Sequence, residues 1–192
     1  RAFALVLLAI ALVGATAAER ASQPEGRAPS QDAPSIHASA PGDHVLFGSW
    51  PQKDSSADTQ PIEWIVLDRR NNAMLLVSRY ALECDSRTVA EAPPWELNPH
   101  RIWLNEDFLT TAFTAEEQAL LLADTDSEGA VFLLGVEQVE RYFPTAEERI
   151  CPATERVAGQ GVFANPETGG VGWWLATPSV SGQFGASVRT DG

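Results

Sequence analysis

The residues that could do chemistry in this chain are few: two cysteines and, in its later part, two histidines. Neither Cys84 nor Cys151 belongs to a C-x-x-C pair, and neither lies beside His44 or His100 in the sequence. Catalysis by cysteine needs a thiolate with a base within hydrogen-bond reach. The chain also lacks the G-x-S-x-G turn of serine hydrolases. We therefore assign no catalytic residue.

Acidic residues and glycines give no metal or cofactor site either. The adjacent carboxylates of Glu106-Asp107 and Glu116-Glu117 point in different directions on a helix, so neither pair is a ready acid and base. The stretch "DTDSEG", 124–129, begins like a calcium loop, but its twelfth position is Gly135 instead of a bidentate glutamate. The glycines between 159 and 172 form no phosphate-binding loop. We expect no metal and no cofactor.

Tryptophans are the remaining candidates for binding. Successive side chains of a strand point to opposite faces, so Trp173 and Trp174 in "VGWWLATP" are not expected to face one core. At least one of them should be buried, and either both are core residues or one is part of a ligand platform. Trp95, which follows two prolines in "APPWELNP", is the best candidate for an exposed ring. We take Trp95, Trp173 and Trp174 as candidate ligand-binding residues.

The first 42 residues resemble an export signal and a spacer. Arg1 precedes the apolar run 2–13, which is too short to span a membrane. The run ends in the small-residue pattern A-T-A, so residues 1–18 are typical of an N-terminally truncated secretory signal peptide. Residues 19–42 are rich in Pro, Ser and Ala and are expected to be a disordered linker. An exported protein permits a disulfide between Cys84 and Cys151, although two free thiols are equally simple.

Residues 43–192 carry the core and all of the net charge. Charges in the first 42 residues cancel, so the net charge of −13 belongs to this part. Its length suits a single domain. Because nucleic acids and anionic membranes bind mainly through Lys and Arg, an acidic body disfavours both as partners.

Short strands and helices alternate along this domain. Strands are predicted at 44–50, 62–68 and 73–80, the last two joined by Asn71-Asn72 as a hairpin. Asn98-Pro99 predicts a helix start. Thr114 and Glu117 form a capping box for a second helix, whose apolar side would be Leu120–Leu122. Further predictions are a strand at 130–134, a helix over 136–143, a single helical turn at 154–159, and final strands at 171–178 and 184–190. The expected class is α+β, a mostly antiparallel sheet with two or three flanking helices.

Four blocks of the chain resemble a known family. They are "VLFGSWPQ…PIEWIVLDRRNNAMLLVSRYAL", "RIWLNEDFLTTAFTAEEQALLL", "VFLLGVEQVERYFP" and "WWLATPS…ASVRTDG". Together they are similar to an uncharacterised domain of secreted and cell-surface bacterial proteins. That family in turn resembles the C-type-lectin-like group, which includes sulfatase-modifying enzymes. The resemblance implies a compact α+β fold with long loops on one side.

The chain departs from the family pattern in two ways, and it also lacks the signatures of true C-type lectins. Ala176 stands where the family usually has a basic residue. The family also continues beyond the equivalent of Gly192, so the domain is expected to lack its C-terminal strand and to leave apolar surface uncovered near Val188. The lectin signatures W-N-D, E-P-N and Q-P-D are absent. Calcium-dependent sugar binding is therefore not implied.

These observations favour an exported, non-catalytic binding or adhesion module with a glycan or protein ligand. One alternative is an enzyme domain related to the sulfatase-modifying group, which would require a reactive Cys84 or Cys151. Another is a structural module of a larger wall-associated protein. A free thiol of low pKa would favour the enzyme, and an apolar groove without polar groups would favour the structural module.

Overall fold

The computed structural model describes residues 3–5, 8–13, 38–53, 58–70, 73–85, 97–123, 129–178 and 185–192. Within these residues, strands and short helices alternate along the chain. The strands pair mainly antiparallel. The predicted α+β class, with a mostly antiparallel sheet, is therefore confirmed.

The larger sheet has the strand order β3-β4-β5-β2-β7, with β8 also paired to β2. The chain neighbours β4 and β5 form the antiparallel pair expected from the sequence, although Asn71-Asn72 between them lies outside the described residues. The bounds are β2 Leu8–Val13, β3 His44–Pro51, β4 Thr59–Arg70, β5 Ala73–Ser78, β7 Leu121–Leu122 and β8 Val131–Leu133.

A second sheet has the order β12-β11-β1-β6. Its strand β1 runs parallel to β11 and antiparallel to β6. The bounds are β1 Phe3–Leu5, β6 Glu83–Asp85, β11 Trp173–Pro178 and β12 Gly185–Val188. Two further short strands, β9 Cys151–Pro152 and β10 Gly170–Val171, pair with each other.

The helices are short and start at the residues that the sequence indicates. A helical stretch begins at Asn98, whose side chain accepts a hydrogen bond from the backbone N–H of His100 at 2.9 Å. Its parts are α1 Pro99–Trp103, a π-helical turn Leu104–Phe108 and α2 Leu109–Ala112. The capping box of Thr114 and Glu117 is also present and opens α3 Ala115–Gln118. The remaining helices are α4 Val136–Tyr142, a 3-10 turn Glu147–Arg149 and α5 Glu155–Gly159.

Residues of the strands alternate between two apolar clusters. In β4, Trp64 and Val66 belong to one cluster, whereas Ile65 and Leu67 pack against the other. Strand β8 divides in the same way, with Val131 and Leu133 in the first cluster and Phe132 in the second. Both faces of these strands are therefore covered, which accounts for their nearly continuous apolar sequences.

The prediction that Leu120–Leu122 form the apolar side of a helix is wrong. The helix α3 ends at Gln118, and Leu121 and Leu122 form β7, which pairs with β2. Three successive leucines match neither a helical nor a strand period, so pairing with a distant segment decides their structure.

The last strand is covered better than the sequence suggests. Strand β12 lies at an edge of its sheet. Val188 is nevertheless buried in the second cluster, with 7% of its surface exposed. Val188 itself is therefore covered, because it is paired with Trp173 of β11 and packs into the core. The expectation that the domain lacks a C-terminal strand stays a prediction.

Residues just before position 43 already pack on the domain. Ser39 is buried, and its carbonyl accepts a hydrogen bond from the Arg69 guanidinium at 2.8 Å. The backbone N–H of Gly42 donates to the carbonyl of Val66 at 2.8 Å. The last residues of the predicted 19–42 linker thus pack on the domain, whereas residues 14–37 lie outside the described residues. The signal-peptide interpretation of residues 1–18 stays a prediction.

Candidate functional site

The paired tryptophans lie on opposite faces of β11. Trp173 is completely buried in the second cluster, and its Nε1–H donates to the carbonyl of Arg149 at 3.1 Å. Trp174 is half-buried and packs against the first cluster. The prediction that at least one of the two is a core residue is confirmed. A ring with no exposed face has no surface for stacking, so Trp173 does not contribute to the site described here.

Strand pairing holds Trp174 in place. Trp174 lies opposite Ser187 of β12, as Trp173 lies opposite Val188. Two residues further along β11, the N–H of Ala176 donates to the carbonyl of Leu134 at 3.0 Å. These backbone contacts connect β11 to the segment after β8 and give the Trp174 ring a rigid support.

His100 is the aromatic neighbour of Trp174. The centroids of the two rings are 6.3 Å apart, with an angle of 54° between the ring planes. His100 occupies the first turn of α1, where the Asn98 cap and Pro99 fix the start of the helix. Only 8% of His100 is exposed. The imidazole is therefore held between the helix and Trp174.

Trp103 extends this group along the helix. It is half-buried and lies three residues after His100, a spacing that places two side chains on the same face of a helix. Its ring meets Trp50 edge to face at a centroid distance of 6.0 Å, and the ring of Phe108 at 5.5 Å. We call Trp174, His100 and Trp103 the aromatic site.

The aromatic site is suited to binding through apolar contact. The half-buried indole rings of Trp174 and Trp103 can offer flat faces to sugar rings and to apolar or aromatic side chains, and indole N–H groups donate hydrogen bonds, whereas the buried His100 supports Trp174. Within the described part of the chain, no group of three or more His, Cys, Asp or Glu residues could hold a metal ion. The calcium-like stretch, apart from Gly129, lies outside that part, since residues 124–128 are not described.

The sequence singled out Trp174 but not His100 or Trp103 as members of a site. The signal was present, because the Asn98-Pro99 start predicts a helix in which His100 and Trp103 share a face. What the sequence did not show is that β11 would bring Trp174 to that face. Trp95, the third candidate, lies outside the described residues.

Both cysteines are free thiols in the structure. The sequence left open whether Cys84 and Cys151 form a disulfide, and in the structure they do not. Burial raises the pKa of the Cys151 thiol to about 12. Such a thiol stays protonated and is a poor nucleophile at neutral pH.

A charged cluster lies elsewhere on the larger sheet. Glu63 Oε1 accepts hydrogen bonds from His44 Nδ1 at 2.6 Å and from the Arg79 guanidinium at 2.7 Å. Partial burial by itself would raise the pKa of Glu63, but these two hydrogen bonds outweigh it and lower the pKa below its ordinary value. The cluster joins β3, β4 and the segment just after β5, and we assign it a structural role.

A comparable ion cluster ties α4 to β4. Asp68 accepts hydrogen bonds from the Tyr142 hydroxyl at 3.1 Å and from Arg70 Nε at 3.0 Å. Burial opposes ionisation, yet the hydrogen bonds and the nearby Arg70 lower the pKa of Asp68 overall. The hydrogen bond between Tyr142 and Asp68 therefore holds α4 against β4.

The chain was compared with protein-family models, with curated proteins and with solved structures, and none of the three comparisons gave a match. No helix in the described ranges is long and apolar enough to cross a membrane.

Proposed function

We propose that this protein is an exported, non-catalytic binding module that takes a glycan or protein ligand at the aromatic site. One observation carries the proposal: Trp174 remains half-buried on a rigid strand beside His100, while its neighbour Trp173 is completely buried. Core packing accounts for Trp173. It leaves part of the Trp174 ring accessible in a position where its orientation is fixed.

The supporting geometry is that of a platform built on regular elements. Trp174 is held by β11 and its pairing with β12, and His100 and Trp103 are held by α1. Rings fixed in this way lose little conformational entropy when a ligand binds. Trp95 stays a predicted further contact.

We place the fold in the C-type-lectin-like group as part of the same proposal. Antiparallel sheets with short flanking helices are compatible with it. Secretion and a bacterial cell-surface location are likewise proposed, on the basis of the signal-peptide pattern and the four sequence blocks.

An enzyme related to the sulfatase-modifying group has less support. That activity would call for a reactive thiol at Cys84 or Cys151. Burial keeps Cys151 protonated by raising its pKa to about 12, so only the half-buried Cys84 could serve an enzyme.

Glycan and peptide arrays probed with wild type and with Trp174→Ala test the proposal. We expect wild type to bind a restricted set of glycans or peptides and Trp174→Ala to lose at least about tenfold in affinity for them, since tenfold corresponds to about 1.4 kcal/mol and an aromatic hot spot commonly contributes about 2 kcal/mol or more. The matched control is Phe163→Ala, which removes a ring that is 66% exposed on the loop after α5. Thermal melts establish that each variant is folded. Equal binding by Trp174→Ala and wild type would reject the site.

A further inference from the structure

The helical stretch that carries the aromatic site also presents negative charge beside it. Glu106 and Asp107 are both exposed in the π-helical turn, three and four residues after Trp103. Residues at this spacing are neighbours on one face of a helix. Arg101, the basic residue of α1, is half-buried, and its Nε atom is covered. The fully exposed charged residues along 97–112 are therefore the two carboxylates.

The described part of the chain makes no use of these two carboxylates. Glu63, Asp68 and Glu83 each contact an arginine. Within the described ranges, Glu106 and Asp107 form no ion pair, and the hydrogen bonds that Thr110 makes to them reach only their backbone carbonyls. Their charges are therefore open to a cation from a ligand.

Exposed apolar surface lies next to the same charges. Ile102 is 40% exposed and lies one helical turn before Glu106, as Trp103 lies one turn before Asp107. Two apolar side chains are thus each followed by a carboxylate. Exposed apolar groups bordered by charge are typical of protein-binding surfaces. Sugar hydroxyls against an aliphatic side chain would lose water without gaining hydrogen bonds, so this surface favours a polypeptide over a glycan.

The charge of the whole chain acts in the same direction. A net charge of −13 attracts cationic ligands and speeds their association. The carboxylates also lie in a rare type of backbone turn, in which the N–H of Leu109 donates to the carbonyl of Leu104 five residues earlier. Single π-helical turns occur frequently at functional sites.

We propose that the ligand of the aromatic site is an extended, basic segment of a partner protein. An aromatic or aliphatic side chain of the segment packs on Trp174 and Trp103, and a Lys or Arg pairs with Glu106 and Asp107. One helical turn is about 5.4 Å long, and alternate residues of an extended chain are about 6.6 Å apart. The apolar and the basic residue of the segment are therefore two positions apart. This inference rests on the proposed function, because it takes Trp174 as a ligand contact.

A peptide array tests the class of ligand. Each peptide carries Phe, Trp or Leu followed two positions later by Arg, and has a paired copy in which uncharged citrulline replaces the Arg. We expect wild type to bind a subset of the Arg peptides at least about fivefold more tightly than their citrulline copies, because the charge is what the carboxylates recognise. The preference should weaken from about 0.05 M to about 0.5 M salt, since salt screens exposed charges. Neutral glycans are probed in parallel.

Variants that remove two charges show where the cation binds. Glu106→Gln with Asp107→Asn should abolish the preference for the strongest Arg peptide over its citrulline copy and leave the affinity for that copy unchanged. The matched control is Glu137→Gln with Glu140→Gln, which removes the same charge from exposed positions of α4. The control should keep the preference. Thermal melts establish that both double variants are folded.

Three results would overturn the basic ligand and leave the aromatic site standing. They are equal binding of Arg and citrulline peptides by wild type, array binding confined to neutral glycans, and an undiminished Arg preference in the Glu106→Gln and Asp107→Asn variant. Trp174→Ala is measured with the same peptides. If it binds both copies as tightly as wild type does, the proposed function is rejected, and this inference falls with it.

Discussion

At the scale of single residues, the two adjacent tryptophans of β11 lie on opposite faces of the strand and pack in different clusters. Trp173 packs in the second cluster, and its Nε1–H donates a hydrogen bond to the Arg149 carbonyl. Trp174 faces the first cluster with its ring beside His100 and only half-buried. Trp173 is thus a core residue, and Trp174 is the ring that we propose to contact a ligand.

The two tryptophans should differ sharply in their effect on stability. Trp173→Ala is expected to lower the free energy of unfolding by about 3–5 kcal/mol, the usual cost of emptying a buried tryptophan site. Trp174→Ala should cost less, because Trp174 is only partly buried and part of its surface is already in water. Urea unfolding of both variants measures the difference. Equal losses would mean that Trp174 is as much a core residue as Trp173.

Gly48 should be intolerant of a side chain. Its φ is +67°, and an added Cβ would lie 2.5 Å from the Phe113 ring and 2.8 Å from the Ala112 carbonyl oxygen. Gly161 has a similar φ of +80° but nothing within 4 Å of that position. Gly161→Ala should therefore lower the free energy of unfolding by only about 1 kcal/mol, the cost of holding a residue with a side chain in the left-handed backbone conformation. Gly48→Ala should cost at least about 1 kcal/mol more, because it also overpacks the core. Similar melting temperatures for the two variants would contradict this packing.

At the scale of elements, local signals predicted where helices start but not how segments meet. Asn98-Pro99 and the Thr114–Glu117 box place two helix starts correctly because caps depend on neighbouring residues. Leu121 and Leu122 were assigned to a helix because their pairing partner, β2, is distant in the sequence. Trp174 was recognised as a candidate, whereas its contact with His100 depends on how β11 docks against α1.

One side chain joins the helical stretch to β8. Asn105 Nδ2 donates to the carbonyls of Arg101 and Val131 at 3.0 and 2.9 Å, and its Oδ1 accepts from the N–H groups of Ala130 and Val131 at 2.9 and 3.2 Å. It lies in the π-helical turn just after Trp103. Asn105 therefore fixes the helix that carries His100 and Trp103 on the sheet.

Asn105→Ala should destabilise the fold by at least about 2 kcal/mol, since the buried backbone groups of Val131 lose partners. The matched control is Thr110→Ala, whose hydroxyl bonds only to carbonyls of its own helical stretch at an exposed site. That change should stay within about 0.5 kcal/mol of wild type. Chemical denaturation of both variants checks the contrast, and an inert Asn105→Ala would show that the helix is held by other contacts.

At the scale of the whole molecule, an acidic body of net charge −13 is stabilised by carboxylates whose pKa values are lowered. Glu63 connects β3 and β4 to Arg79 just after β5, and Asp68 connects β4 to α4. Both ion clusters use the few cations of the chain to tie separate elements together.

Stability should fall on acidification partly through Glu63. Its pKa is lower in the folded than in the unfolded chain, whose ordinary value is 4.5. The stability that Glu63 contributes is therefore present above pH 4.5 and is lost as the pH falls through the pKa of Glu63 in the folded chain. Glu63→Gln should lower the free energy of unfolding at neutral pH and converge on wild type in acid. Unfolding curves across this range measure it, with Glu140→Gln on the exposed side of α4 as the control. A constant gap between Glu63→Gln and wild type at every pH would contradict the assignment.

The central claim is that a ligand binds at Trp174, and the indole N–H signals of the six tryptophans test it most directly. The signals are assigned by single Trp→Phe substitutions and followed by NMR during titration with the strongest ligand from the arrays. Binding at the aromatic site predicts that the Trp174 and Trp103 signals shift, while those of Trp173 and Trp64, whose N–H groups donate to the carbonyls of Arg149 and Phe47, stay in place. An unchanged Trp174 signal at saturating ligand would contradict the account.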